Sequence, residues 1–472
     1  MSRIGTTLNG LELRLLNNLN QVDQQAIVHA IRLATGAKVS RPKDDPSTFL
    51  LVSNFTARLN RINQTISQVD VATTIAAEAQ LGIDTARTEL EFIRELLITD
   101  EDQTLTAEDR TTAQLAIDKA LDNIDDASGA EINGHRPLDG SFNYNFSGVN
   151  TSQVSSVEAF SIAGNTLSGS VSAAATQATL DYKGSGGKID DDASFTLAGE
   201  RGSTAITVTK NEQLTDVADR INADSHKTGI TASVNGNDLT FTSVDYGDEA
   251  LVDIDVTSGT FDVTGGDGNG RDTGTDATVT INGQSIDSNQ IDGNKVRVYD
   301  NGLHATIEFA AGFSGAFDTI TITDDNVPKF TLSTEISELT SFALPGTQAV
   351  RLGGISGTLN QIKSGGGLDG LGSNTSQAIR IVDEALADLN LVEGRADAFG
   401  DVAVKRSSEM LKAMKATVEE AIDQVNGINP EEESLLLTKN QALGSNTISA
   451  LAVAQQQQLA TLALVQQAAG LI

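Results

Sequence analysis

Residues 52–97 read VSNFTARLNRINQTISQVDVATTIAAEAQLGIDTARTELEFIRELL, with no proline and a single glycine, Gly82. Small or apolar residues return at Val52, Phe55, Leu59, Ile62, Ile66, Val69, Thr73 and Ala76, and again at Ala79, Ile83, Ala86, Leu90, Ile93 and Leu97. Steps of three and four predict one continuous helix carrying a coiled-coil seam. The successive threes from Thr73 through Ala76 to Ala79 predict a stammer, a local overwinding of the coil. At about 1.5 Å per residue the helix would be roughly 70 Å long, so its seam requires partner helices of similar length.

Working outward, residues 4–33 form a second amphipathic pattern, with Leu8, Leu11, Leu15, Leu19, Val22, Ala26, Ala30 and Leu33 on one face. Gly36 ends it, and the turn-rich KVSRPKDDP of residues 38–46 leads to the long helix. Asp44, Asp45 and Pro46 stand where a helix N-terminus favours an acidic cap and a proline, which makes the Asp pair a capping device and not a metal site. Thr106-Ala107-Glu108-Asp109 resembles a capping box and opens a helix to about Ala127. Asn133-Gly134 and Asp139-Gly140 then predict tight turns.

The composition changes over residues 151–345. Alternating segments such as 205–209, 239–242, 278–281, 295–299 and 319–322 predict short strands between Gly-, Asn- and Asp-rich turns, broken by a helix at Leu214–Asn222. After Gly365 the helical rhythm returns with Ile379, Val382, Leu386, Leu389, Val392, Ala396 and Phe399, then Leu411, Met414, Val418, Ile422 and Val425. This second proline-free rod ends near Gly427 and Pro430, and a last helix spans about 432–464. The predicted fold is α+β and multidomain: N- and C-terminal helices pair into a long coiled-coil rod, with a β-rich insert between them.

Bulk properties narrow the function. The chain has 472 residues, net charge −32, no cysteine and no tryptophan. That charge argues against nucleic acid and anionic membranes as partners. Disulfides and thiolate metal sites are excluded. No N-terminal stretch has a secretory signal layout, and no run reaches about 18 uninterrupted apolar residues; the apolar tail is cut by Gln455–Gln458. The four histidines are scattered, no HExxH occurs, and Asp267–Asp272 lacks the ligands of a calcium loop because Arg271 occupies a ligand position. No catalytic residue, cofactor or metal is expected, and the chain is not read as an enzyme. Its two ends are amphipathic helices that are marginal alone. They are expected to pair with each other and with copies of the chain, ordering as they assemble, through Leu8, Leu11, Leu15 and Leu19 on one side and Leu451, Leu459 and Leu462 on the other.

Several motifs bear a family resemblance. Leu15-Leu16-Asn17-Asn18-Leu19-Asn20, Arg32-Leu33-Ala34-Thr35-Gly36 followed by Lys43-Asp44-Asp45, Ile93-Arg94-Glu95-Leu96, Leu138-Asp139-Gly140-Ser141, Leu437-Thr438-Lys439-Asn440-Gln441 and Ala454-Gln455-Gln456 together resemble bacterial flagellin. Leu214–Asn222 with Gly229-Ile230-Thr231-Ala232 is similar to the IN motif of flagellar axial proteins.

The resemblance implies an inner core of 1–42 and 430–472 and an outer core of 43–150 and 351–429. It also implies a variable exposed region of 151–350 with the IN-like motif at about 205–256. It further implies a filament subunit exported through the flagellar type III channel and placed outside the cell. Its partners would be copies of itself, an export chaperone, the filament cap and the hook–filament junction proteins. An innate immune flagellin receptor is a further implied partner, through Arg94, Glu95 and Leu96. The competing readings are the junction protein itself and a stalked surface adhesin.

Overall fold

The computed structural model describes residues 10–101, 105–162, 166–300, 302–334, 339–368, 371–372, 374–468 and 470. They form two compact units, Met1–Ser67 with Ser407–Ile472, and Gln68–Arg406. The helices are α1 (Gly10–Thr35), α2 (Pro46–Glu101), α3 (Ala107–Ser128), α4 (Leu214–Ala223), α5 (Ser225–Thr228), α6 (Thr375–Asp397), α7 (Lys405–Asn426) and α8 (Pro430–Ala468). Long helices thus occupy both ends of the chain, and strands fill its middle. Of the predicted first helix, residues 4–9 lie outside the described residues.

Local chemistry explains the helix starts. Asp45 accepts hydrogen bonds from the backbone N–H and hydroxyl groups of both Ser47 and Thr48, so it caps α2 with Pro46 in the first position. The hydroxyl of Ser47, then that of Thr48, stabilise the carboxylate and bring its pKa down to about 2. Thr106 and Asp109 close a reciprocal capping box on α3.

The seam of α2 differs from the predicted one at two positions. Thr73 is exposed, its hydroxyl bonded back to the Val69 carbonyl, and Ala72 takes the inward position. One layer earlier Thr65, not Ile66, is buried. One line of buried positions then runs Ile62, Thr65, Val69, Ala72, Ala76, Ala79, Ile83, Ala86, Leu90, Ile93, Leu97 and Asp100, with Ile75 and Gly82 also buried beside it. Threes and fours alternate throughout, so there is no stammer. The small Ala72, not the larger Thr73, keeps the phase.

In the second unit, the part of α2 from Gln68 onward packs against α3 and, antiparallel, against α6. Gln80 donates to Asp397 (2.8 Å), Arg87 pairs with Asn390 and Glu393, Arg94 donates to Asp383 (2.6 Å) and Glu101 accepts from Ser376 (3.3 Å). Partners advance by seven on one helix as they retreat by about seven on the other, giving a polar ladder beside the apolar seam. At its end the buried Asp100 accepts from Arg110 on α3 (2.5 Å) and Thr375 on α6 (2.7 Å). Gly82 leaves room for Leu138, whose Cδ1 would stand 2.5 Å from a Cβ there.

The β-rich part has two hydrophobic cores. One, including Tyr144, Val154, Val171, Val279, Ile307 and Ile322, lies between a five-stranded sheet (145–147, 315–323, 166–173, 278–281, 284–285) and a four-stranded sheet (291–292, 295–300, 303–309, 154–161). The other, centred on Phe195, Phe241 and Phe261, joins two further four-stranded sheets to α4 and is inserted between the halves of the first. Alternation drives both: Leu303–Phe309 buries Leu303, Ala305, Ile307 and Phe309 and turns His304 to solvent. The predicted Asn133-Gly134 turn is present, with φ of 51° and 79° and reciprocal backbone bonds between Ile132 and His135.

The predicted C-terminal rod is corrected in its middle. A π-helical segment, Ala398–Val404, separates α6 from α7. Before it, the buried residues Ala378, Val382, Ala385, Leu389, Val392, Ala396 and Phe399 keep the three-four rhythm; after it come Val404, Leu411 and Val418. Continuing the first phase would place 403, 410 and 417 inside, so the chain carries one surplus residue, and a π turn is the geometry that absorbs one.

Leu90→Ala, at a fully buried seam position, is expected to cost about 3 kcal/mol in chemical denaturation, whereas Leu81→Ala, at 61 % exposure, stays within about 0.5 kcal/mol. Equal losses would refute the seam assignment.

Candidate assembly interface

In the unit formed by the two chain ends, α1 and α8 run antiparallel: His29 faces Glu433, and Asp23, Val22 and Leu19 surround Gly444. Next to this pair Ala37 bridges Gly427, and Asn426 brackets Val39 with two side-chain hydrogen bonds. The unit holds eleven basic residues (eight up to Ser67, three from Ser407) and eleven acidic ones (four and seven), so the chain's net −32 resides in the other unit.

The polarity of this helix pair is inverted. On α8 the buried side chains are Glu433, Asn440 and Thr447, spaced by seven, with Gly444 buried between the last two, while Leu435, Leu443, Ile448, Val453 and Leu464 are exposed. On α1 Val22 and Glu12 are buried, and Leu11, Leu13, Leu16, Ile27 and Val28 are exposed. An open groove of about 620 Å³ runs between the helices, lined by Gln21, Gln24, Gln25, Val28, Leu436 and Lys439 among others. Helices that keep polar groups inward and leucines outward leave a large apolar surface uncovered. By length and composition α8 could also cross a membrane, its most apolar window having mean hydropathy 1.2 and none of it buried. Gln455–Gln458 lie in this helix, however, and amides in hydrocarbon lose their hydrogen bonds to water.

The residues singled out from sequence divide between the two faces. Leu15, Leu19 and Leu451 are half-buried; Leu11, Leu459 and Leu462 are exposed, the first two at 57 % and 67 %; Leu8 lies outside the described residues. Leu13, Leu16, Leu443 and Ile448 join the outward face, off the single apolar stripe that helical periodicity marks on each helix. Arg94 belongs to the α2–α6 ladder, Glu95 is exposed beside it and Leu96 is half-buried.

Two carboxylates carry the electrostatics. In the helix pair, burial raises the pKa of Glu433, but His29 (2.5 Å) and Arg32 (3.2 Å) outweigh it and hold the group below its ordinary value of 4.5. In the other unit, burial, then the facing carboxylate of Glu158, pushes Asp388 on α6 up to about 7, with only a long bond from the Gly353 N–H (3.4 Å) and the charge of Lys295 opposing. A polar cavity of about 710 Å³ lies between α4, α5 and the ends of α2 and α6, lined by Asp100, Arg110, Asn222, Ser225, Ser376 and Arg380 among others. Its polar groups tie elements together: His226 lies 3.0 Å from Glu101, and Arg380 bonds to Ser225. Among the described residues, no group of three or more His, Cys, Asp or Glu is placed to hold a metal ion.

Comparison with known proteins adds the family context. Residues 7–143 match the bacterial flagellin N-terminal helical region, and residues 194–245 the flagellin hook IN motif, which starts and ends earlier than the 205–256 read from sequence. Flagellin of Salmonella typhimurium strain LT2 is 30 % identical over 132 residues, covering 28 % of this chain and 26 % of its own. Flagellin of Escherichia coli O127:H6 is 28 % identical over 250 residues, covering 51 % and 42 %. The chain thus spans less than half the length of these relatives. Solved structures with partial likeness include the flagellar cap protein FliD of Escherichia coli (22 % identity, 51 % of this chain and 64 % of that one, TM-score 0.30) and FliC of Burkholderia pseudomallei (15 %, 70 % and 99 %, TM-score 0.25).

Both carboxylates give pH predictions. A depressed Glu433 stabilises the helix pair fully above pH 4.5, and that stability is lost as pH falls through its lower folded value; Glu433→Gln should flatten the acid limb of melting followed by circular dichroism. For Asp388 the sign is opposite. The folded state holds an extra proton between 3.8 and about 7, so stability declines as pH rises through that window, and Asp388→Asn should abolish the slope.

Proposed function

From the premise that the chain belongs to the flagellin family, we propose that it is a structural subunit that polymerises into the flagellar filament for swimming, and is not an enzyme. In this reading it passes through the flagellar type III channel with an export chaperone and adds beneath a filament cap above the hook–filament junction proteins. It then lies outside the cell, with 1–42 and 430–472 as inner core, 43–150 and 351–429 as outer core and 151–350 displayed. The observation that carries the reading is the inverted polarity of α1 and α8: Glu433, Asn440 and Thr447 inside, leucines outside. Exposed leucines at 69 % (Leu435) and 70 % (Leu464) are unfavourable in water, and a second copy removes them from it at roughly 25 cal/mol per Å². Because the unit they belong to has no net charge, packing copies of it together incurs no net charge repulsion. Leu11, Leu459 and Leu462 would meet neighbouring copies; Leu15, Leu19 and Leu451 would hold the helix pair itself.

Seeded polymerisation followed by electron microscopy tests this. The full chain should give long uniform filaments, and chains lacking 1–30 or 445–472 should give none while keeping the β-sheet signal in circular dichroism. Long filaments from either truncated chain would refute the inner-core assignment. Rings or short stubs from the full chain would favour a hook–filament junction role.

A further inference from the structure

The strands that end the four larger sheets are mostly three residues or shorter; among the described residues the exceptions are Val154–Ser161, Ile230–Asn235 and Gly202–Val208. An open edge of that length is a template for another strand unless something covers it. The first is crossed by Arg395 of α6, which donates to the Ala159 carbonyl (3.4 Å), pairs with Glu158 (2.9 Å) and lies over the Phe160 ring (3.9 Å). The second is bracketed by Asn222 of α4, whose side chain accepts from the Ala232 N–H (2.8 Å) and donates to the Ala232 carbonyl (2.9 Å). Gly202–Val208 has no such cover. It pairs residue for residue with Ala193–Gly199, without a bulge, across the two-residue turn Glu200-Arg201. Such a turn makes 199 and 202 a hydrogen-bonded pair, so the ladder bonds belong to 202, 204, 206 and 208. The N–H and C=O groups of Ser203, Ala205 and Thr207 therefore point away from the sheet, and no described residue outside it bonds them. All three residues are exposed.

We propose that Gly202–Val208 is a docking edge for a second copy of this chain, which pairs with it antiparallel about a twofold axis at Ala205 and joins the two sheets into one. The strand is its own best complement. With Ala205 facing Ala205, Ser203 faces Thr207 and Thr204 faces Ile206, so every outward-pointing residue exchanges bonds, about six in all; a shift by two residues keeps about four. Charge points to the same occupant. The unit carries −32, yet residues 202–209, GSTAITVT, have no charge and no proline, so like strands meet there without facing like charges. Beyond the strand, this register brings the Glu200-Arg201 turn toward Thr209-Lys210 of the second copy. Glu200 makes no ion pair among the described residues, and burial with the carboxylates of Asp245 and Glu249 raises its pKa. The exposed Lys210 of the second copy, which reaches Asp191 in its own chain (3.0 Å), supplies the positive charge that Glu200 lacks.

Cysteine cross-linking of the full, unseeded chain tests the pairing and does not depend on the polymer reading. The chain has no cysteine of its own, so a single introduced thiol can join only its counterpart on another copy. Ala205→Cys sets two thiols across a hydrogen-bonded pair whose Cα atoms are about 5.5 Å apart, within disulfide reach. Treated with diamide, it should run as a disulfide dimer on a non-reducing gel. Ser203→Cys and Thr207→Cys, each about 14 Å from its own counterpart, should cross-link at least tenfold less when alone, yet join efficiently when the two proteins are mixed. Adding Ala205→Lys to both members of that mixture should abolish the cross-link by setting like charges opposite each other, and replacing one of them with Ala205→Glu should restore it. Equal cross-linking at all three positions would mark random collision, and none at 205 would leave the edge to an unlike strand. Either overturns the proposal, as does a cross-link indifferent to the charge at 205.

Discussion

The inward face of α2 is the constraint to which the rest of the larger unit is fitted. From Val69 to Asp100 a line of buried residues recurs every third or fourth position, and its early layers carry the alanines Ala72, Ala76 and Ala79, with Ile75 buried beside them. Small residues let backbones approach closely, whereas the later Ile83, Leu90, Ile93 and Leu97 fill wider space. The same face ends on Asp100, a carboxylate with almost no exposure that is stabilised only because Arg110 and Thr375 reach it from two other helices. A buried charge of this kind fixes register: sliding α6 by one residue would remove Thr375 from reach and also break the Gln80, Arg87 and Arg94 pairings.

Against that well-filled seam, the α1–α8 pair looks deliberately incomplete. Its inner contacts are Glu433 with His29 and Arg32, the polar Asn440 and Thr447, and the small gap at Gly444 that admits Leu19. Such contacts specify which helix pairs with which, and supply little hydrophobic stabilisation. The apolar area that would supply it points outward. The contacts that select the pairing and the apolar area left uncovered thus lie on opposite faces of the same two helices.

Much of this was legible in the sequence, and the failures have physical causes. The helix ends were readable because caps are local: Asp45 with Pro46, Thr106 with Asp109, Gly36 and Gly427. The β strands were readable because alternation is local too. The phase errors at Ala72 and Thr65 arose because a hydropathy reading prefers Thr73 and Ile66, and only packing shows that an alanine faces inward. The π segment left a sequence trace, the twelve-residue gap between Phe399 and Leu411, which hid Val404 and a phase shift of one. Two β cores, one threaded into the other, were not legible at all, since strand pairings such as 193–199 with 251–259 depend on contacts far apart in the chain.

The distribution of charge ties these observations to assembly. One unit balances eleven positive against eleven negative residues, and the other holds the full −32. Subunits packed side by side repel through unpaired charge, but the repulsion is screened beyond about 8 Å at physiological salt where the charge is wetted. It is not screened where charge is buried. A chain that must bury one unit against many copies and keep another in water is therefore best served by neutrality in the first and excess charge in the second. The partition seen here follows that rule, with the positive N-terminal arm and negative C-terminal arm of the neutral unit already joined through Arg32 and Glu433.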